Sequence, residues 1–238
     1  AWENIILKKI LIAGLGNIGK RYLEGILKID FPIDILIYDI KKELTQKYIK
    51  EINDTINKSK LHNVKFFNFS DKLSKKIDLL IVSTTSDVRY ETLNLFIKNF
   101  QIKNIILEKI VFKNKNEYLE TSKISNFSKI YLNQGLRYHP DYNAIKDNID
   151  SSKRVDLFVK GSNWGLACNA VHILDYFMDI TKSFDVSFAD TSSLIVKQSK
   201  RSGFVEFVGT IKGMNNKGEI KVREGTITSS AGSTPSSL

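Results

Sequence analysis

The segment Ile10-Leu11-Ile12-Ala13-Gly14-Leu15-Gly16-Asn17-Ile18-Gly19 constrains the chain more than any other. An apolar run suited to one buried strand ends in Gly14-x-Gly16-x-x-Gly19. Apolar residues then recur at Ile18, Tyr22, Ile26 and Ile29, the spacing of a helix face. Strand, tight turn and helix is the order a dinucleotide pyrophosphate requires. Gly14 permits the turn, Gly16 lets the backbone approach the phosphates, and Gly19 lets helix and strand pack closely. The amides at the helix start, Asn17 and Ile18 among them, and the helix dipole attract the anion. A second apolar run, Ile33 to Tyr38, ends in Asp39, 20 residues beyond Gly19. A carboxylate there can hold the adenosine ribose hydroxyls. A Gly-rich turn that binds nothing is the competing explanation; the second strand and its acid argue against it.

The first half keeps alternating. Leu44, Tyr48, Ile52 and Ile56 predict a helix ending near Asn57, and Val64 to Phe69 a short strand. Ile77 to Val82 reads as a strand buried on both faces. It ends in Ser83-Thr84-Thr85-Ser86-Asp87, hydroxyl-rich and suited to cap a helix running through Phe96. The strand Ile105-Ile106-Leu107 ends in Glu108-Lys109, and a helix over about Lys115 to Ser125 leads to a strand from Lys129 to Asn133. The fold class expected is α/β: an N-terminal Rossmann domain, residues 1–133, with a doubly wound parallel sheet and its ligand at the strands' carboxyl ends.

After Asn133 the pattern changes. A loop and helix fill 134–149, followed by a strand at Val155 to Val159, a loop at Gly161 to Gly165 and a helix from about Asn169 to Ile180. Strand-like runs follow at Val186 to Phe188, Leu194 to Val196, Phe204 to Ile211 and Glu219 to Val222. Gly203, Gly213 and Gly218 are expected at turns, and Asn215-Asn216-Lys217-Gly218 suits a hairpin. Residues 134–224 are therefore expected to form a second, smaller α/β domain with a mostly antiparallel sheet. Residues 225–238 read as a flexible tail.

Composition excludes several classes. With 42% hydrophobic residues the chain is globular, and its apolar runs are too short to span a bilayer. Ala1-Trp2-Glu3-Asn4 leads into the first strand without a secretory pattern, and one cysteine precludes an internal disulfide and suits a reducing compartment. A cytoplasmic protein is expected. The balance of 36 basic and 26 acidic side chains gives a formal charge of +10. The lysines are scattered without interleaved aromatics, so a solvated surface is expected and no nucleic-acid or membrane partner.

Chemistry concentrates around His172. Cys168, His172, Asp175 and Asp179 fall on one helical stripe, with Ala170, Ile173, Leu174, Phe177 and Met178 on the opposite, core-facing side. The polar stripe faces water or a cleft. A plain solvent-facing histidine is one alternative; no metal is expected, because one helix supplies all the ligand types and nothing completes the sphere. Lys109, ending a buried strand, sits where a doubly wound sheet binds its ligand, or else simply reaches into solvent.

Together these residues resemble the Gfo/Idh/MocA oxidoreductases, the family of glucose–fructose oxidoreductase and inositol dehydrogenase. The matching elements are Gly14 to Gly19, Asp39, Ser83-Thr84-Thr85-Ser86-Asp87-Val88-Arg89-Tyr90-Glu91, Leu107-Glu108-Lys109, Arg137-Tyr138-His139-Pro140 and Val171-His172-Ile173-Leu174-Asp175, in the family's order. The resemblance implies hydride transfer between a nicotinamide and a sugar-like alcohol or ketone. It places the cofactor, NAD before NADP, against Gly14, Gly16, Asn17, Ile18, Gly19, Asp39, Ser83, Thr84, Thr85, Glu108 and Lys109. Lys109 would orient the substrate hydroxyl and His172 would be the acid/base. The resemblance makes residues 134–224 a substrate and oligomerisation domain. Arg137, Tyr138, Trp164 and Asn169 would join His172 in meeting the substrate, and an open second sheet would form a homodimer face. Three departures stand out. Ile110 replaces the family's proline, and since a cis bond before a non-proline residue costs ~3 kcal/mol, the backbone path at Lys109 is left open. Arg89 replaces a histidine. Cys168 replaces an aspartate one turn before His172, leaving Asp175 as the nearby substitute. A non-catalytic dinucleotide-binding sensor or scaffold is the alternative function.

Overall fold

The structure, a computed structural model, describes residues 8–55, 61–71, 75–124, 128–199 and 203–225. The chain forms two compact units, residues 1–133 and 134–238. In the first, β1 (Lys8–Ala13), α1 (Asn17–Ile26), β2 (Ile33–Tyr38), α2 (Lys42–Thr55), β3 (Asn63–Phe66), β4 (Lys76–Val82), α3 (Ser86–Asn99), β5 (Gln101–Leu107), α4 (Lys115–Ile124) and β6 (Lys129–Leu132) alternate. The strands pair in the order β3-β2-β1-β4-β5-β6, every pair parallel. This is the doubly wound α/β sheet expected from the alternation.

Continuous apolar strands are what this sheet needs, because helices cover both faces. Leu11, Leu36, Leu80 and Ile105 pack with Leu93 and Phe96 of α3. Ile12, Ile35, Ile37 and Ile81, one residue out of phase, pack with Leu23 and Ile26 of α1 and Ile49 of α2. Each such fully buried side chain contributes ~1.5–3 kcal/mol relative to exposure. The strand expected to reach Phe69 stops at Phe66, and Phe67 turns inward to the Tyr38 and Phe96 rings. The expected end of α2 at Ile56 and Asn57, and Ser125 at the end of α4, lie outside the described residues.

In the second unit a 3-10 turn (Gly135–Tyr138) precedes α5 (Pro140–Asp147), β7 (Leu157–Ser162), α6 (Leu166–Thr181), β8 (Phe188–Asp190), β9 (Ile195–Gln198), β10 (Val205–Asn215) and β11 (Gly218–Gly225). The sheet runs β7-β11-β10-β8, with β9 also on β10. Its pairs are antiparallel except β11 with β7. Ala170, Ile173 and Phe177 of α6 pack on Ile220 and Val222.

Several boundaries differ from expectation, among them β7, which runs through Gly161 and Ser162 of the expected loop. Gly213 is not a turn; it lies inside β10, opposite Ile220. Gly225 closes β11 and so does not belong to the tail expected over 225–238; 226–238 lie outside the described residues. Helix α6 starts at Leu166, ahead of the expected Asn169, because two remote carboxylates serve its first turn. Glu224, buried in β11, accepts the Leu166 amide at 2.6 Å, and Glu206 of β10 accepts that of Ala167 at 2.5 Å. Anions at a helix start stabilise it, and nothing local in sequence announces these two.

Candidate functional site

Between β1 and β4 the strand order reverses direction, the switch point at which open α/β sheets bind ligands. A cavity of about 670 Å³ lies there, walled by Gly14, Leu15, Gly16, Asp39 and the Ser83–Thr85 segment among others. The three glycines divide the work as the spacing implies. Gly14 has φ +96°, the left-handed region that side chains avoid. A Cβ on Gly19 would lie 2.0 Å from the Gly14 carbonyl, so only glycine lets α1 sit this close to β1. A Cβ on Gly16 would meet nothing within 4 Å, so the packing of the fold does not itself require glycine there. Gly16 is the N-cap of α1, whose first amides have no acceptor within the helix.

Asp39 binds the turn to the second strand. Its Oδ2 accepts the Leu15 amide at 2.6 Å and its Oδ1 the Lys41 amide at 2.8 Å. Each carboxylate oxygen has a second lone pair left for a hydroxyl. Ile40, Leu44, Val88 and Leu95 line the cavity and expose their apolar side chains, Ile40 by 88%. Clustered exposed aliphatics are what a planar ring would cover. Lys20 and Lys41 add positive charge to the wall, and the Lys20 ammonium stands 4.1 Å from the Tyr48 ring centre. The hydroxyls expected to cap α3 behave otherwise. Its N-cap Thr85 makes no side-chain capping bond, and Ser83 Oγ donates instead to the Gly14 carbonyl at 2.6 Å, fastening the two loops.

Beyond β5 the residues expected at the cofactor part company. Glu108 is buried, and its Oε1 accepts the Tyr22 hydroxyl and the Asn133 amide, both at 2.6 Å. It anchors the strand end from within and is not part of the cavity wall. Burial and the Glu108 contact push the Tyr22 pKa up, keeping the phenol a donor. Lys109 is half-buried on the turn that follows. The Lys109–Ile110 peptide is cis, which answers the backbone question posed by Ile110.

Arg89, noted in the sequence only as a replacement for a histidine, has a role the sequence did not reveal. It is 3% exposed and stands at the head of the buried α3 stripe Arg89, Leu93, Phe96. An arginine in the first place of a helical core stripe was the signal available. Its guanidinium donates to the main-chain carbonyls of Thr84, Glu108, Ile110 and Val111. Burial pulls its pKa below the usual value, against the opposing charge of Glu108.

The second unit uses its expected site residues differently. His172 is half-buried and Cys168 exposed, as a polar stripe requires. Asp175 is expected to assist His172 and Arg137 to meet substrate. Instead they hold each other: Arg137 Nε donates to Asp175 Oδ2 at 2.5 Å and Nη2 to Oδ1 at 2.6 Å. A planar guanidinium and a carboxylate match in this two-pronged way. Asp179, expected on the stripe that faces water or a cleft, is 7% exposed, with Lys146 at 2.7 Å, Lys182 at 2.9 Å and Arg137 at 3.6 Å. Burial disfavours its charge, but the lysine hydrogen bonds outweigh that and lower its pKa. Tyr138 is 75% exposed. Asn169 donates its amide to the Trp164 carbonyl, closing the loop before α6. Among the described residues no helix is long and apolar enough to cross a membrane.

No protein-family model and no curated protein matches the sequence. Solved structures do match. The chain is similar to the dehydrogenase MviM from Clostridium difficile, at 16% identity and TM-score 0.65, over 91% of this chain and 69% of that one. It is similar to an NAD-binding protein from Listeria innocua, at 16% identity and TM-score 0.61, over 92% and 68%. An oxidoreductase from Bacillus cereus matches at 16% identity and TM-score 0.65, over 93% and 65%. The chain thus spans about two thirds of the length of each. At this identity the likeness is one of fold alone.

Proposed function

We propose that the first unit binds NAD and that the protein transfers hydride between it and a sugar-like alcohol or its ketone. One observation carries the reading: the cavity at the β1/β4 switch point joins the bare Gly16 position, the Asp39 carboxylate and the exposed aliphatics Ile40, Leu44, Val88 and Leu95. A pyrophosphate, a ribose and an adenine require those three surfaces, so the residues fit the group. The fold shared with the Listeria NAD-binding protein and the Clostridium dehydrogenase supports the same reading. Asp39 repels a 2′-phosphate, which favours NAD over NADP; Lys41 and Lys42 weaken that preference.

Bound NAD supplies the hydride acceptor or donor. The chain must then manage one proton. The His172 imidazole, a group that can both take and give a proton, can accept it from the alcohol or return it to the ketone. Lys109 supplies positive charge to the alkoxide that develops. The test is oxidation of NADH, or reduction of NAD, with a panel of sugars and nucleotide sugars. Turnover with a member of that panel supports the proposal; cofactor binding without turnover on any member opposes it.

A non-catalytic dinucleotide-binding protein is the second reading. Cys168 cannot replace an aspartate beside His172, and both oxygens of Asp175 are engaged by Arg137.

A further inference from the structure

The buried Arg89 joins two loops that the fold itself leaves independent. One follows β4 and contributes Thr84 to the cavity wall. The other follows β5 and carries Lys109. Arg89 Nη2 donates to the Thr84 carbonyl; Nη1 donates to the carbonyls of Glu108 at 2.7 Å, Ile110 and Val111 at 2.9 Å. The carbonyls on either side of Lys109 are therefore held by one rigid cation. A lone ammonium could not span both loops, whereas a guanidinium presents donors in a fixed fork. The Glu108 carboxylate, whose charge favours the cation, turns its own hydrogen bonds to Tyr22 and Asn133 and leaves the guanidinium to the carbonyls. Four main-chain oxygens pointing at one buried spot repel one another unless a cation or donors fill it.

We infer that Arg89 is a positioning residue: by fixing the Glu108–Val111 turn against the Thr84 loop, it directs Lys109 toward the bound cofactor. This rests on the proposal that the first-unit cavity binds NAD. It extends that proposal by assigning the aim of Lys109 to a residue on another element that touches neither cofactor nor substrate.

The test is competitive acetylation of Lys109 with acetic anhydride, read by peptide mass spectrometry with and without NADH. It is applied to the wild type, Arg89→Met and Arg89→Lys, with NADH affinity measured in each by fluorescence titration. With NADH at ten times its Kd, the unliganded fraction falls to about one tenth, so wild-type Lys109 should acetylate ~10-fold more slowly. In Arg89→Met that protection should shrink below ~2-fold under the same saturation while NADH still binds. A merely structural role would lower NADH affinity or folding without uncoupling Lys109 from a cofactor still bound. Arg89→Lys keeps the charge and loses the fork; it should lie between the two, and it carries the test where Arg89→Met does not fold. Equal protection in the wild type and the folded variants overturns the inference and leaves the cofactor reading standing. Wild-type Lys109 that saturating NADH leaves unprotected overturns the role assigned to Lys109 itself.

Discussion

The two units hold their polar residues in opposite ways. In the first, the turn after β1 and the Ser83–Thr85 loop keep a cavity open, and the side chains and amides around it fasten loop to loop. Asp39 takes two amides, Ser83 two carbonyls, and Arg89 four carbonyls. In the second, charged side chains satisfy one another, Arg137 with Asp175, and Lys146 and Lys182 with Asp179. A site that must receive a ligand uses the backbone to hold itself and leaves surface vacant. A set of residues already mutually paired is stabilising architecture until a ligand displaces one partner. His172, half-buried on α6, is the group in the second unit that this account assigns to chemistry.

His172→Ala breaks that assignment most directly. It should lower turnover by ~10²–10⁴-fold, the range for loss of a general acid/base, while NADH affinity measured by fluorescence stays near wild type. Unchanged turnover would make the second unit architecture throughout. Gly19→Ala tests the packing half of the comparison. The added Cβ would stand 2.0 Å from the Gly14 carbonyl, so thermal unfolding should show a loss of ~1–3 kcal/mol, as for other overpacked sites. Asp175→Asn sharpens the contrast further. The pair is mostly shielded from solvent, and hydrogen bonds to charged groups are worth ~1.5–3 kcal/mol, part of which asparagine keeps, so stability should fall by ~1–2 kcal/mol while the pH–rate profile keeps its midpoint. A shifted midpoint would mean that Asp175 serves His172 after all.

The smallest effect expected is pH-dependent. The folded pKa of Asp179 is depressed, so its contribution to stability is fully present above the unfolded value, ~3.9. It is lost as pH falls through the lower folded value. Melting curves of the wild type and Asp179→Asn should therefore differ most above pH ~5 and converge in acid. A gap that widens as the pH falls would contradict the sign.

What could be read in the sequence follows the same division. The parallel sheet, the glycine turn and Asp39 were legible because each is a local pattern whose geometry depends on a few neighbouring residues. The Arg89 clamp was not, since its partners are main-chain carbonyls of loops 5 and 19–22 residues away, which have no sequence signature. Helix α6 began early because Glu206 and Glu224, 39 and 58 residues downstream of the amides they accept, cap it. Periodicity describes one helix alone, so it left Asp179 facing either water or a cleft and could not show its burial among cations. Lys146 on α5 and Lys182 beyond α6 are what allow its burial.

The central claim is that the cavity beside Gly16 is a dinucleotide site. Fluorescence titration of NADH and NADPH into the wild type and Gly16→Val tests it most directly. A Cβ at position 16 enters open space, so the variant should melt close to wild type yet bind NADH at least ~10-fold more weakly, and the wild type should prefer NADH to NADPH. Equal NADH affinity in a folded Gly16→Val, or no binding of either cofactor by the wild type, would contradict the account.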